Sequence, residues 1–334
     1  MDSCITLSHG NGGKLTWDLV DNLFLRYFSS QLPKQGNDAA ELTLTSNRVA
    51  MTTDSFVVNP ITFPGGDIGK LAVCGTVNDL LTAGARPQYL SCGLILEEGL
   101  PLAELEQIIA SMARTAKACG VQIVTGDTKV VQRGAADKLF INTTGIGVLR
   151  DGVDLSARHI IPGDRVIVTG TIGEHGCSIL LARETLNIET DIVSDCAPLA
   201  GLIDAVLATG VEIHAMRDPT RGGMAATLNE LATQSDTAIV LEEANIPVKD
   251  SVHGLCDILG LDPLYLANEG KMIIVAPEKS CEAIMGALIG HPLGQQAQII
   301  GDVVADPAGR VLLQTSLSKR ILDMPILDQI PRIC

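Results

Sequence analysis

Apolar residues recur along the chain at spacings that alternate between strand and helix. Residues 48–51 and 56–58 read as strand on both sides of Thr53-Asp54-Ser55. Residues 68–83 read as a helix with apolar side chains on most of its faces, a pattern that belongs inside a core. Residues 102–119 form a second helix, with Pro101 near its start, Glu104 and Glu106 in its early turns, and Arg114 and Lys117 in its late ones. That order of charges suits the helix dipole, and Gly120 caps the end. A strand follows at 121–125 and another at 139–149, where Gly145 and Gly147 mark a bulge or a close approach. Asp151-Gly152 and Pro162-Gly163-Asp164 are strong turn signals and predict a break near 150–163. Beyond it, segments 166–169, 178–184, 199–208, 223–232, 238–241, 272–276 and 281–288 alternate in the manner of an α/β unit. The last stretch, 321–334, carries Pro325 and Pro331 and cannot form a continuous helix.

Composition narrows the classes. The 334 residues suit two domains at roughly 150 residues each, and eight of the nine aromatics precede residue 150, which suggests two differently packed regions. With 24 Lys+Arg against 39 Asp+Glu, the net charge of −15 repels phosphate backbones and anionic lipids. So few aromatics also leave little for bases to stack on, so no nucleic-acid partner is expected. A hydrophobic content of 46% excludes disorder. The longest uncharged run, 283–301, is interrupted by Pro292, His291, Gln and Gly residues, so no membrane span is expected. Met1-Asp2-Ser3-Cys4 lacks the basic start of a secretory signal, and a cytoplasmic location follows as the expectation. The nine cysteines include no CxxC pair, so they are expected as reduced thiols and mostly as small core residues. Cys334, the last residue, stands apart.

Candidate chemistry gathers in a few places. In His9-Gly10-Asn11-Gly12-Gly13-Lys14, glycines let amides crowd toward a phosphate and a lysine adds charge, although a flexible turn explains the hexapeptide equally well. Asp54 and Asp127 are read as following strands, and Asp79 lies in the 68–83 helix. Each alone reads as a cap or an exposed position. Taken with Lys70, Asn78 and Lys129, three converging carboxylates are what magnesium on ATP would use, and a metal–nucleotide site is the better reading. Asp218-Pro219-Thr220-Arg221-Gly222-Gly223 precedes a helix whose first amides favour anions; an ordinary helix start accounts for Pro219 but leaves Arg221 unexplained. Asn268-Glu269-Gly270-Lys271 reads as a turn before a strand, and Gly173-Glu174-His175-Gly176 as a strand-to-helix loop. Neither HExxH spacing nor a GxSxG elbow is present. Cys334 is either an accident of a frayed tail or a thiol on an arm of about 40 Å that visits more than one site.

Together these segments resemble the HypE family of carbamoyl dehydratases, which help make the cyanide ligands of [NiFe] hydrogenases. The resemblance spans essentially the whole chain: HGNGGK at 9–14, TTDSFVV at 52–58, FPGGDIGKLAVCGTVNDL at 63–80, YLSCGLILEEGLP at 89–101, VTGDTKVV at 124–131, DPTRGG at 218–223, ANEGKM at 267–272 and PRIC at 331–334. It implies an α/β protein of the aminoimidazole ribonucleotide synthetase-like two-domain fold, with an α+β N-terminal domain and an α/β sandwich C-terminal domain. The expected division is a segment with the glycine-rich loop (1–35), an ATP-binding and dimerisation domain (36–152), a C-terminal domain (153–320) and a mobile tail (321–334). The resemblance further implies a homodimer, a HypF-type carbamoyltransferase that loads the Cys334 thiol, and a HypC–HypD complex that accepts the cyano group. Asp54, Asp79 and Asp127 are then expected to hold Mg²⁺ on ATP. Gly10, Gly12, Gly13, Lys14, Lys70, Asn78 and Arg221 are expected to bind the nucleotide, and Lys129 and Glu269 to neutralise charge or take protons from the carbamoyl nitrogen on Cys334, either of the two being the candidate base. The related selenophosphate synthetases carry Cys or selenocysteine in the glycine-rich loop, and 9–14 has none. A small-molecule phosphotransferase or a scaffold whose tail only docks partners are the alternatives.

Overall fold

The computed structural model describes residues 4–28, 39–183, 188–326 and 329–334. Glu184, residues 29–38 around the expected boundary at 35/36, and residues 327–328 of the tail lie outside the described residues. A 3₁₀ turn at Leu7–Gly10 leads into α1 (Lys14–Leu19), which passes through a π turn at Val20–Phe24 into α2 (Leu25–Phe28). There follow β1 (Val49–Phe56), the small hairpin β2 (Thr62–Phe63) and β3 (Gly66–Asp67), α3 (Ile68–Thr82), β4 (Ala85–Glu97), α4 (Leu102–Cys119), β5 (Gln122–Val131) and β6 (Leu139–Leu149). The first sheet has the order β1-β6-β4-β5 and is antiparallel except for β4 and β5. A parallel pair needs a long crossover, which α4 supplies.

Both helices read from the pattern are present. Asp67 caps α3 by accepting the Lys70 amide at 2.9 Å, and nearly the whole of α3 is buried, Thr76 and Asn78 included. In α4 only one stripe is buried, through Leu105, Ile108, Ile109, Met112 and Ala116, and Gly120 ends it in the left-handed conformation. Three readings change. β1 is one continuous strand with Asp54 inside it, paired with Thr143, and β5 runs on through Asp127, paired with Gly93. Their polar residues look like turns because one face of this sheet is not covered by the chain's own helices. β4 was not anticipated at all, because Pro87 and Gly93 interrupt its apolar run; the Pro87 irregularity is absorbed as a bulge against β6.

The second half comprises β7 (Asp164–Val168), α5 (Glu174–Arg183), α6 (Ala200–Leu207), β8 (Ala215–Arg217), α7 (Gly223–Ser235), β9 (Ala238–Glu242), α8 (Asp250–Leu259), β10 (Ile273–Pro277), α9 (Glu278–Ile289), β11 (Gln298–Val304), β12 (Arg310–Gln314) and β13 (Lys319–Ile321). Seven strands form one sheet, β13-β12-β9-β11-β7-β10-β8, in which only β12 and β9 run parallel. Its central strands are apolar throughout because both faces are covered. Ile167 and Ile274 pack with Cys177, Leu202 and Ile284 on one side, while Val166, Val168, Ile273 and Val275 pack with Met224 and Leu228 on the other. The uncharged run 283–301 is shared between α9 and β11, and among the described residues no helix is long and apolar enough to cross a membrane.

The halves meet along α3. Asn78, 2% exposed, donates its amide to the Ala197 and Glu269 carbonyls (3.2 and 3.4 Å) and accepts the Leu199 amide at 3.0 Å. Both donors are thus taken by backbone across the seam. Through these bonds Asn78, expected to contact the nucleotide, also staples the Glu269 segment against α3.

Candidate active site

Four carboxylates from four elements face the seam between the halves. Asp54 comes from β1, Asp79 from the last turn of α3, Asp218 from the residue after β8, and Glu269 from the turn before β10. Thr52, on the same face of β1 as Asp54, donates its hydroxyl to Asp79 at 2.7 Å. Burial, the Asp218 charge and adjacent Asp54 push the Asp79 carboxyl up to about 7, with the Thr52 hydrogen bond opposing them. Burial, followed by the Asp54 charge, pushes Asp218 up to about 6. Glu269 is 3% exposed, its Oε1 has no hydrogen-bond partner, and its carboxyl is held well above the usual range by burial, then by Cys196, Asp218, Asp195 and Asp54. Like charges crowded out of water favour protons until a cation arrives.

The turn carrying Glu269 is set by Asp195. Its side chain accepts the Glu269 and Gly270 amides (3.1 and 3.3 Å) and pairs with Lys271 at 3.1 Å; both partners of the ion pair are nearly buried. Burial alone would raise Asp195, yet Lys271, His175 and the Glu269 amide hold it below its ordinary value. A Cβ at Gly270 would stand 1.9 Å from the Asp195 carbonyl, so only glycine lets the two segments approach this closely.

Asp127 does not join this cluster within one chain. Paired positions Asp54–Thr143–Cys92–Gly126 form one row across the first sheet, facing the helices, and Ser55–Asn142–Gly93–Asp127 form the next, facing outward. Asp127 is therefore on the opposite face and three strands away, roughly 14 Å. The expected convergence of Asp54, Asp79 and Asp127 in a single protomer is corrected accordingly. Lys129 lies two residues on and pairs with Asp127 at 2.8 Å, both side chains about two-thirds exposed. That contact, through the Lys129 hydrogen bond first, holds the Asp127 carboxyl below its ordinary value. Beside them sits the glycine-rich loop: Gly10, Gly12, Asp127 and Lys129 line one cleft of about 280 Å³. A Cβ on Gly10 would meet the Val130 amide at 2.5 Å, so the loop packs directly on β5. Gly12 and Gly13 donate their amides to Thr16 Oγ1 and Asn11 Oδ1 (both 3.0 Å), and Lys14 is exposed. Lys70 donates to the Gly65 carbonyl at 2.9 Å, and Arg221 is exposed next to Gly222 and the tail residue Ile330.

The chain terminus also enters the seam. The Val57 amide, just after β1, donates to a Cys334 carboxylate oxygen at 3.0 Å, and His175 bonds the Ile333 carbonyl at 2.9 Å. Cys334 thus ends three residues beyond Asp54 along the same backbone. Of the groups here, Asp195 carried no sequence signal of its own, while His175 stood in the Gly173-Glu174-His175-Gly176 loop. Asp218 stood in view within DPTRGG but was passed over for Arg221.

Residues 36–149 match the family model for the N-terminal domain of AIR synthase related proteins, and 162–314 match the one for its C-terminal domain. The carbamoyl dehydratase HypE of Azotobacter vinelandii is 50% identical over 331 residues, 99% of this chain and 97% of that protein. The chain belongs to the HypE family of carbamoyl dehydratases. A crystal structure of the hydrogenase maturation protein HypE in complex with ATP superposes with a TM-score of 0.94 at 50% identity, covering 98% of this chain and 99% of that one. The HypE chain of a HypE–HypF complex superposes at 0.81 and 44% identity, covering 94% and 100%.

The carboxylates at the seam fit a divalent cation on a nucleotide only as a pair. Among the described residues no three His, Cys, Asp or Glu side chains close around a point. Mg²⁺ on a nucleotide needs only one or two carboxylates, the rest of its shell being phosphate oxygens and water. Asp54 and Asp79 supply such a pair, and the raised Asp79 carboxyl marks a place short of positive charge. The sign of the pH effect follows. A carboxyl whose folded value lies above the unfolded one stabilises at low pH and loses that contribution as pH rises from about 4 through about 7. In EDTA, Asp79→Asn is therefore expected to raise the melting temperature at pH 8 by several degrees, about 1–2 kcal/mol, and to change it little at pH 5. An equal shift at both pH values in a thermal melt would show that Asp79 is not strained by its neighbours.

Proposed function

We propose that the chain carries a carbamoyl group on its own Cys334 thiol and dehydrates it with ATP to a thiocyanate, the source of the cyanide ligands of the [NiFe] hydrogenase iron. The observation that carries this reading is the terminus lying between the two halves, with a Cys334 carboxylate oxygen accepting the Val57 amide, three residues beyond Asp54, and the Ile333 carbonyl bonded to His175. An amide oxygen is a poor leaving group, and taking the γ-phosphoryl of ATP turns its departure into loss of phosphate. The carbamoyl nitrogen gives up both protons as the C≡N bond forms. Carbamoyl thiol and ATP thus become thiocyanate, ADP, phosphate and one proton. Glu269, buried at the seam with an unpartnered oxygen, takes one of these protons and releases it, and the other leaves on the phosphate. Asp54 and Asp79 would hold Mg²⁺, which neutralises phosphate charge, and Asp218 adds a third carboxylate beside them. Gly10, Gly12, Gly13 and Lys14 cradle phosphates, with Lys70 and Arg221 as further cationic contacts.

The distance of Asp127 and Lys129 from this cluster supports a homodimer. The outward face of the first sheet exposes Met51 (70%), Val49 (44%) and Ile95 (43%), an apolar surface that a second copy would cover. A site shared between copies then combines Asp54, Asp79 and Glu269 of one with the glycine-rich loop, Asp127 and Lys129 of the other. Mixing inactive Asp79→Asn and Asp127→Asn chains is expected to restore about a quarter of wild-type dehydration, because half of the dimers are mixed and each of these holds one intact site. No recovery after subunit exchange, checked by native mass spectrometry, would overturn the shared site.

Likeness to the HypE of a HypE–HypF complex supports a HypF-type carbamoyltransferase as the loading partner. A HypC–HypD complex is the cyano acceptor, and the thiol chemistry suits the reducing cytoplasm, in keeping with nine cysteines that form no disulfide. In this reading 36–152 and 153–320 act as the two domains around the nucleotide, and 321–334 moves between the partner's site and the seam. Intact-protein mass spectrometry tests the cycle. With the carbamoyltransferase and carbamoyl phosphate, the tail peptide gains a carbamoyl group, and with Mg-ATP it then loses one water. A phosphotransferase would consume ATP with Cys334 unmodified, and a scaffold would do neither.

A further inference from the structure

Much of the grip on the last four residues falls on their main chain. Arg183, the final residue of α5, spreads its guanidinium over three carbonyls. Nε donates to Asn59, Nη1 to Pro331 at 2.6 Å, and Nη2 to Arg332. One planar fork thus ties the loop after β1 to the tail. Around it, the Asn59 amide donates to the Arg332 carbonyl at 3.4 Å, and Arg332 donates back to the Val57 carbonyl at 3.1 Å and pairs with Asp137 at 2.9 Å. His175 completes the grip. It is fully buried, and burial holds its imidazole below its ordinary value, so it is neutral. Its Nε2 donates to the Ile333 carbonyl while Nδ1 accepts the Ser194 hydroxyl at 2.8 Å, and Ser194 Oγ in turn accepts the Cys196 amide at 3.0 Å.

We propose that Arg183 is the positioning residue of the dehydration step: a clasp, backed by His175, that closes on the main chain of the tail and sets Cys334 in the seam between the halves. This deepens the reading of Cys334 as the carrier and rests on it. A clasp made to carbonyls is indifferent to what the thiol bears. Free, carbamoylated and cyanated tails meet the same three donors, so each form can dock and none is trapped by its cargo. Planarity matters, since a guanidinium reaches three carbonyls in one plane whereas an ammonium is a point donor. The clasp is also partly exposed and lies beside the like charge of Arg332, which together with burial lowers Arg183 from its ordinary value. It can therefore be opened from outside.

Two readouts test it, one of them independent of catalysis. The first is the rate at which a thiol reagent labels Cys334 in full-length protein, followed on the tail peptide by mass spectrometry. It is expected to rise about 10-fold or more in Arg183→Ala, and by less in Arg183→Lys, which keeps the charge but gathers its donors on a single nitrogen. The second is single turnover: Arg183→Ala loads carbamoyl at the wild-type rate but dehydrates the loaded tail about 10- to 100-fold more slowly, with KM for ATP unchanged, and Arg183→Lys recovers part of the loss. A merely structural role would move KM and the melting temperature together and would not be ranked by the reach of the donors. Unchanged labelling and unchanged dehydration in Arg183→Ala overturn the clasp while leaving the carrier intact. A wild-type tail that never gains carbamoyl overturns the carrier itself, and the labelling result still decides the clasp.

Discussion

Cys334→Ala is expected to abolish carbamoyl loading altogether, with no product detectable on the tail peptide, while ATP binding and the melting temperature stay near wild type. The effect is total because the thiol sulfur is the atom that bonds to carbon, and alanine has nothing to replace it. Its cost to the fold is small for a reason visible at the terminus. Val57 holds a Cys334 carboxylate oxygen, and the preceding carbonyls belong to His175 and Arg183. None of these bonds involves the side chain, so an alanine tail keeps all of them. The apolar loss is a single half-buried sulfur, worth about 1 kcal/mol at most. Isothermal titration with ATP and a thermal melt check the retained properties, and mass spectrometry of the tail checks the lost one. Loading of the alanine chain at the tail, or normal hydrogenase maturation in cells that carry only that chain, would overturn the carrier.

The architecture was legible wherever burial dictates the pattern. α3 is apolar on nearly every face because it lies between the first sheet and the second half, and α4 shows one stripe because it covers only a sheet face. The central strands β7 and β10 read correctly because both of their faces are covered. Strands that serve the site were the ones misread. Thr52, Asp54 and Thr53 alternate between an acidic cleft and an uncovered face, so neither face of β1 is apolar enough to show a period of two. Motif spacing marked the important segments but not their faces. Asp54 and Asp127 look equivalent in sequence, each beside a strand, and only the pairing register puts them on opposite sides of the sheet. Asn78 looked like a ligand because it is a polar residue in an apolar helix; its amide is consumed by backbone across the seam. Asp195 was invisible because its role depends on contacts with Lys271 and two amides more than 70 positions away.

Glu269→Gln separates the two candidate bases. Glutamine keeps the size of the side chain and can still hydrogen-bond, but it cannot take a proton. ATP-dependent conversion of a preloaded tail is expected to fall about 10²- to 10⁴-fold, with loading by the carbamoyltransferase unchanged because that reaction occurs away from the seam. The wild-type profile also has a predictable shape. Glu269 binds its proton well above the usual carboxylate range, owing first to burial and then to Cys196, Asp218, Asp195 and Asp54, so the active ionised form grows as pH rises. The dehydration rate therefore climbs with pH beyond the point where an ordinary carboxylate is fully ionised, and the glutamine variant loses that limb. High basicity is what the step requires, since a carboxylate at its ordinary value is a weak acceptor for a nitrogen-bound proton. Lys129 is exposed and already donates to Asp127 at 2.8 Å, on the outward face of the sheet. Lys129→Gln is accordingly expected to weaken ATP binding more than it slows the proton transfer, with the pH limb intact. Near-wild-type turnover in Glu269→Gln, together with loss of the pH limb in Lys129→Gln, would transfer the role to the lysine.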